Sequence, residues 1–179
     1  MKIEQVFEYD IDEALETKLQ NLLSSCFPQI YPSDRIYFKQ LPHSRFLAFN
    51  HNNQLVGQVG LDYRVMNLGG EPVRILGIID LCVSHQARSA GIGTSLLLKV
   101  DKFSVERNID FILLFADHMA LYEKNGYTTV ENQCTWMKID HESQTTKEIG
   151  CESLNELMVK NVGNKEWNKG TLDLLGYLY

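Results

Sequence analysis

An apolar run that opens straight into a glycine-containing turn and then a helix constrains this chain more than any other feature. Residues 71 to 84, EPVRILGIIDLCVS, are almost continuously apolar in their second half. That pattern suits a central strand covered on both faces. The turn Arg88-Ser89-Ala90-Gly91-Ile92-Gly93-Thr94 follows, and a helix is predicted from about Gly91 to Glu106, with Ile92, Leu96, Val100 and Phe103 on one face. Small residues let a ligand approach the backbone there. The first amides of the helix lack intrahelical partners, and with the helix dipole they form an anion site suited to a pyrophosphate. A Walker A loop is excluded, because no G-x-x-x-x-G-K-[ST] occurs. A dinucleotide fingerprint is excluded as well, because Leu96 stands where its third glycine is needed.

The elements around this unit predict a mixed sheet. Residues 2 to 8 read as a strand. Ile11, Ala14, Leu15, Leu19, Leu22, Leu23 and Cys26 have helical spacing, ended by Pro28. Residues 29 to 43 read as a loop with a short helix near SDRIYF. SRFLAFN and QLVGQVGLDYRVMNL read as strands, and Gly69-Gly70 marks a hairpin. IDFILLFA reads as a buried strand and MALYEKNG as a short helix ended by Gly126. YTTVE and TWMKID read as an antiparallel pair, and residues 141 to 152 as a loop. Ser153 to Glu156 matches a capping box before a short helix, with ELMV as an edge strand the alternative. The last stretch, EWNKGTLDLLGYLY, is apolar enough to dock on the body. The order β–α–β–β–β–α–β–α–β–β predicts an α/β mixed sheet flanked by helices, in one domain spanning 1 to 179.

Composition narrows the class. The formal charge is −6 over 179 residues, which argues against a nucleic-acid backbone binder. Cys26, Cys82, Cys134 and Cys151 form no C-x-x-C, and neither they nor the five histidines have zinc spacing, so no metal site is expected. Free thiols, an acidic start and no long apolar segment predict a soluble cytoplasmic protein with no membrane contact.

R-S-A-G-I-G, residues 88 to 93, resembles the [QR]-x-x-G-x-[GA] acyl-CoA loop of the GNAT superfamily of N-acetyltransferases. LYEKNGY, residues 121 to 127, resembles that family's [LF]-Y-x-x-x-G-[FYW] signature, in the right order. The likeness covers roughly residues 1 to 140; 141 to 179 would be an extension docked on the core. One departure is Asp117, where the family often has an asparagine that contacts the cofactor. The resemblance implies a GNAT acyl-CoA N-acyltransferase fold, acetyl-CoA as co-substrate and direct transfer of the acetyl group to a primary amine. It implies that amides of Arg88, Ser89, Ala90, Gly91, Ile92, Gly93 and Thr94 hold the pyrophosphate. Backbone groups of Leu81, Cys82 and Val83 would meet the pantetheine, on a strand edge left unpaired.

By the same resemblance Tyr122 is the candidate acid for the departing thiolate. Asp80 is the candidate base; the alternative is a satisfied structural aspartate. Burial would raise its pKa toward a useful range, and strand alternation would put Cys82 and Ser84 on its side. A looser likeness, the acidic residue in the central strand and the apolar tail with ELM, resembles aminoglycoside 2′-N-acetyltransferases. It places the terminus at Tyr179 near the acceptor. Tyr31, Asp34, Tyr37, Trp167 and Tyr179 are candidate substrate contacts. The acceptor expected is a small-molecule amine; alternatives are a peptide or protein amine, or a non-catalytic acyl-CoA sensor. A homodimer stays open.

Overall fold

The computed structural model describes residues 1–28, 30–105 and 107–179, and the chain divides into two compact units. The first comprises Met1–Asp62 and Ile78–Val100; the second comprises Tyr63–Gly77 and Asp101–Tyr179.

In the first unit, β1 (Lys2–Phe7) runs antiparallel to β2 (Ser44–Phe49), with Lys2 opposite Phe49 and Phe7 opposite Ser44. β2 in turn pairs with the first half of β3 (Leu55–Leu68), from Ser44 opposite Leu61 to Ala48 opposite Gly57. Helix α1 (Glu13–Cys26) starts at Asp12, whose Oδ1 accepts from the Leu15 amide at 2.8 Å. Its Leu19, Leu22 and Leu23 are buried against Tyr31, Ile36, Leu47, Phe49 and Cys82. The second half of β4 (Glu71–Val83) leads to helix α2 (Ile92–Ser104). Gly57 lets that helix sit close: a side chain there would meet Ile92 Cγ2 and the Cys82 carbonyl at 3.1 Å. The small residue on β3 therefore fixes the height of α2 above the sheet. The predicted end of this helix at Glu106 lies outside the described residues.

The second unit carries the strand order β6-β9-β5-β4-β3-β10-β7-β8. Its members beyond β3 and β4 are β5 (Phe111–Phe115), β6 (Thr128–Thr129), β7 (Gln133–Asp140), β8 (Thr145–Ser153), β9 (Leu157–Asn161) and β10 (Leu172–Tyr177). Helix α3 (Ala120–Lys124) precedes Gly126, whose φ is +84°. Gly69 and Gly70 turn β3 into β4 with φ of +61° and +96°, the pair of positive values a tight hairpin needs. β5 is parallel to β4 from Ile75 opposite Phe111 to Gly77 opposite Leu113. The core holds Met66, Leu68, Ile75, Phe111, Leu113, Leu157, Leu172 and Leu174.

Four sequence expectations are corrected. Residues 145–153 form β8 rather than a loop, antiparallel to β7. Eight of its nine residues are exposed, so it carries no apolar alternation to read. Leu157–Asn161 is neither a helix nor an edge strand. It lies between β5 and β6, with Leu157, Met158 and Val159 all buried, as a strand paired on both sides requires. YTTVE and TWMKID do not pair with each other: β6 joins β9 and β7 joins β8 and β10. SDRIYF forms no helix; its backbone is held instead by donors to the Ile36 carbonyl.

The first unit also buries a cation. Arg45 is 1% exposed, and its Nε and Nη2 donate to the two oxygens of Glu8, each at 2.8 Å. Its Nη1 donates to Gln58 Oε1 at 3.1 Å and its Nη2 to the Ile36 carbonyl at 2.7 Å. Removing one side of such a pair strands the other charge. Arg45→Met should therefore destabilise the protein by about 3–5 kcal/mol, measured by urea unfolding. A change within the error of the wild-type midpoint would contradict this account of the pair.

Candidate active site

Asp80 is the point on β4 where the strand stops behaving as a strand. Its φ is +48°, a left-handed conformation that Asp and Asn tolerate better than other non-glycine residues. This breaks the period-two alternation. The expectation that Cys82 and Ser84 share the side of Asp80 by counting is therefore withdrawn. On one flank β4 stays paired: the Ser84 amide donates to the Val56 carbonyl at 2.8 Å. On the other, the ladder with β5 ends at Gly77, six residues before β4 does. Among the described residues, 78 to 83 have no strand partner on that flank.

The Asp80 carboxylate sits over a buried polar network. Tyr31, 9% exposed, places its hydroxyl 3.2 Å from Asp80 Oδ2 and 2.8 Å from the Ile36 carbonyl. Gln58 Nε2 donates to the Asp80 carbonyl oxygen. Burial pushes the Asp80 carboxyl above the usual carboxylate range, against the pull of Arg45, the Tyr31 hydrogen bond and Lys39. Burial likewise raises Tyr31 and lowers Lys39. A phenol has one proton to donate. With Asp80 ionised, Tyr31 donates to it, and the Ile36 carbonyl keeps the Arg45 donor. With Asp80 protonated, Asp80 donates to Tyr31 and Tyr31 to Ile36. Both states are fully hydrogen-bonded, so Asp80 can gain or lose a proton without orphaning a neighbour.

The turn after β4 has its own geometry. Ser89 has φ +64° and Gly91 φ +75°, two left-handed residues separated by Ala90 alone. Such alternation turns successive amides toward one concave side, which binds anions. α2 begins at the next residue, Ile92, and its 13 residues add the free amides of a full helix N-terminus. Arg88 Nε donates back to the Val83 carbonyl at 3.4 Å. Within this run Leu81 and Val83 are half-buried and Cys82 is buried, while Ala90 and Gly91 are exposed. Gly93 and Thr94, in the first turn of α2, are half-buried.

The other expected contacts divide between the units. In the first, Tyr37 lines a cleft of about 500 Å³ together with Glu8, Tyr9, Glu16, Ile36 and His43. Asp34 is exposed beside Arg35, and Tyr31 is buried with Asp80. In the second, Tyr122 lies on α3, half-buried, with its ring edge-on to Tyr127 at 5.8 Å. Trp167 packs edge-on against Phe111 at 5.1 Å, and its Nε1 donates to Asn132 at 2.9 Å, which gives it a core role. Tyr179 lies over Gly77 and 4.6 Å from the Arg64 guanidinium. Sequence reasoning missed Glu8, Arg45 and Gln58. The available signal was an arginine inside the apolar strand SRFLAF, which must find a partner if the strand is buried. Among the described residues no group of three or more His, Cys, Asp or Glu is placed to hold a metal ion, and no helix is long and apolar enough to cross a membrane.

Asp80→Asn tests the carboxyl, since asparagine keeps the left-handed preference. A raised folded pKa means the native state binds the extra proton. The stabilisation from Asp80 is thus full below the ordinary carboxylate pKa and lost as pH rises through the folded value. Urea unfolding between about pH 4 and pH 8 should show this loss in the wild type and a flatter profile in Asp80→Asn. Identical profiles would refute the protonation assignment.

The model for the acetyltransferase (GNAT) domain matches residues 10–130. No curated protein matches the chain. Among solved structures, an aminoglycoside 6′-N-acetyltransferase complexed with coenzyme A is 17% identical with a TM-score of 0.63, covering 93% of this chain and 100% of that one. YhbS, a GNAT family N-acetyltransferase from Escherichia coli in complex with CoA, is 15% identical with a TM-score of 0.61, covering 96% and 88%. A GCN5-related N-acetyltransferase from Anabaena variabilis is 19% identical with a TM-score of 0.61, covering 72% of this chain and 32% of that one. The chain thus spans about a third of the length of some matched structures and nearly all of others.

Proposed function

The chain belongs to the GNAT acetyltransferase family, and on that premise we propose that it is an acetyl-CoA-dependent N-acetyltransferase acting on a primary amine of a small molecule. The observation that carries the reading is the alternation of positive φ at Ser89 and Gly91 directly before α2, following a strand whose last six residues have no strand partner on one flank among the described residues. An extended anion with a pyrophosphate and two amides fits such a surface. The amides of residues 88 to 94 would hold its phosphates and the backbone of Leu81 to Val83 its amides. Solved GNAT relatives crystallised with CoA support the same cofactor.

Acetyl-CoA, when bound, supplies an acyl thioester. The chain supplies positions for protons. Asp80, when ionised, offers Oδ2 on a hydrogen-bonded chain that stays satisfied when a proton arrives. That suits it to accept one from an incoming ammonium group. Burial raises its pKa above the usual carboxylate range, which makes it a stronger base than an exposed carboxylate. Tyr122 holds a phenolic proton available to a departing thiolate, the role its motif position suggests. A small cationic acceptor is favoured by the cleft beside Ile36, where Glu16 stands with the aromatic rings of Tyr9 and Tyr37.

Calorimetric titration with acetyl-CoA should register binding. Gly91→Val forces a β-branched residue into φ +75°, at a cost of ~1–2 kcal/mol, and should weaken that binding about tenfold. No binding to the wild type at millimolar levels would overturn the proposal. Tyr122→Phe should lower kcat by about a hundredfold with acetyl-CoA affinity unchanged. Unaltered turnover would remove Tyr122 as the acid. An amine screen with thiol detection separates an enzyme from a sensor, which would bind acetyl-CoA but release no thiol.

A further inference from the structure

The last strand is bent so as to deliver an aromatic ring. Against β7, Asp173 stands opposite Thr135 and Tyr177 opposite Met137, so β10 advances four positions where β7 advances two. Inside this bulge the exposed Leu175 takes φ +47°, a conformation leucine rarely adopts. Strain of that kind persists where the surroundings over-determine it, and bulges re-aim the side chains that follow. The side chains that follow are Tyr177 and Tyr179. Arg64 on β3 holds both. Its Nη1 donates to the Tyr177 carbonyl at 3.0 Å, and its guanidinium carbon lies 4.2 Å from the Tyr177 ring centre and 4.6 Å from that of Tyr179. The two rings meet edge-on at 5.9 Å. Gly176 admits the arginine, since a Cβ there would fall 2.6 Å from Nη1. A cation and a second ring thus fix the Tyr179 ring in place.

Its place is the end of the β4–β5 ladder. Gly77, buried, is the last residue of β4 paired with β5, opposite Leu113. The Tyr179 ring lies against Gly77 so closely that any side chain there would run into it. The same ring is 6.4 Å from the ring of Phe115. Phe115 is two residues beyond Leu113 and so shares its face of β5. Tyr179 therefore spans the ladder's end, from Gly77 on one strand to Phe115 on the next. We propose that Tyr179 sets the length of the acyl group this protein accepts, admitting acetyl and excluding longer chains. The inference rests on the acetyl-CoA reading. With the pyrophosphate at residues 88 to 94 and the pantetheine along 81 to 83, the thioester end runs back along β4 toward Gly77. A two-carbon acyl group ends short of the ring. Each further methylene must displace a ring that Arg64 and Tyr177 brace, over a glycine with no side chain to move aside. Forcing methylenes into a site that cannot relax is unfavourable.

The test is calorimetry on the full chain with CoA, acetyl-CoA and butyryl-CoA. The wild type should bind CoA and acetyl-CoA comparably and butyryl-CoA about tenfold more weakly. Tyr179→Ala should bring butyryl-CoA within about twofold of acetyl-CoA while CoA affinity stays the same. Tyr179→Phe keeps the ring and should keep the discrimination. A ring that only packs would change the affinity of all three ligands alike, or of none. If the alanine variant does not fold, Tyr179→Leu shortens the side chain and answers the same question. Equal binding of butyryl-CoA and acetyl-CoA to the wild type overturns the inference, with no variant needed. So does discrimination that survives in the shortened variant. If CoA binds without discrimination, the acyl-length assignment fails alone. If neither CoA nor acetyl-CoA binds the wild type, the acetyl-CoA reading fails and the assignment goes with it.

Discussion

A buried guanidinium must be neutralised from every side, and in the first unit this requirement organises the surroundings of Asp80. Arg45 cannot shed its proton, so Glu8, the residue after β1, is drawn onto it with both oxygens. Its remaining donors reach Gln58 on β3 and the Ile36 carbonyl. Gln58 then spends its own amide on the Asp80 carbonyl, at the residue whose backbone turns left-handed. One cation thus connects β1, β2, β3, β4 and the irregular segment before β2. A substitution at any member would be felt at the carboxyl of Asp80, because each is held by the next.

How much of this could be read in the sequence depends on whether a residue announces itself through period or only through partners. The helix of α2 and the apolar β5 were legible because burial imposed a repeating pattern. The Gly69-Gly70 turn was legible because only glycine takes two positive φ values cheaply. β8 was not, since a strand with solvent on nearly every residue has no repeat to display. β9 was mistaken for a helix start or an edge because ELMVK is too short to distinguish one period from another. Its pairing on both sides is a tertiary fact.

At the candidate site the balance is similar. The turn of residues 88 to 94 and the acidic residue in β4 stood out by type and spacing. The positive φ at Ser89 was not visible, because serine carries no such preference. The polar network under Asp80 joins residues up to 72 positions apart, and nothing local links Glu8 to Asp80. Trp167 carries no local signal of its partners either: its edge-on contact with Phe111 and its indole N–H bond to Asn132 are both tertiary.

β8 has a consequence of its own. It ends the strand order of the second unit, and so offers one row of backbone donors and acceptors to whatever approaches. Exposed Ile149 makes that edge adhesive. Lys147, Glu148 and Glu152 oppose this by placing charge on both faces of the strand, all three paired across to β7, Lys147 to Asp140 and both glutamates to Lys138. A protein keeps such an edge single by making any second strand desolvate those ions. Keeping that edge single therefore falls to a short ionic hem on β8 itself.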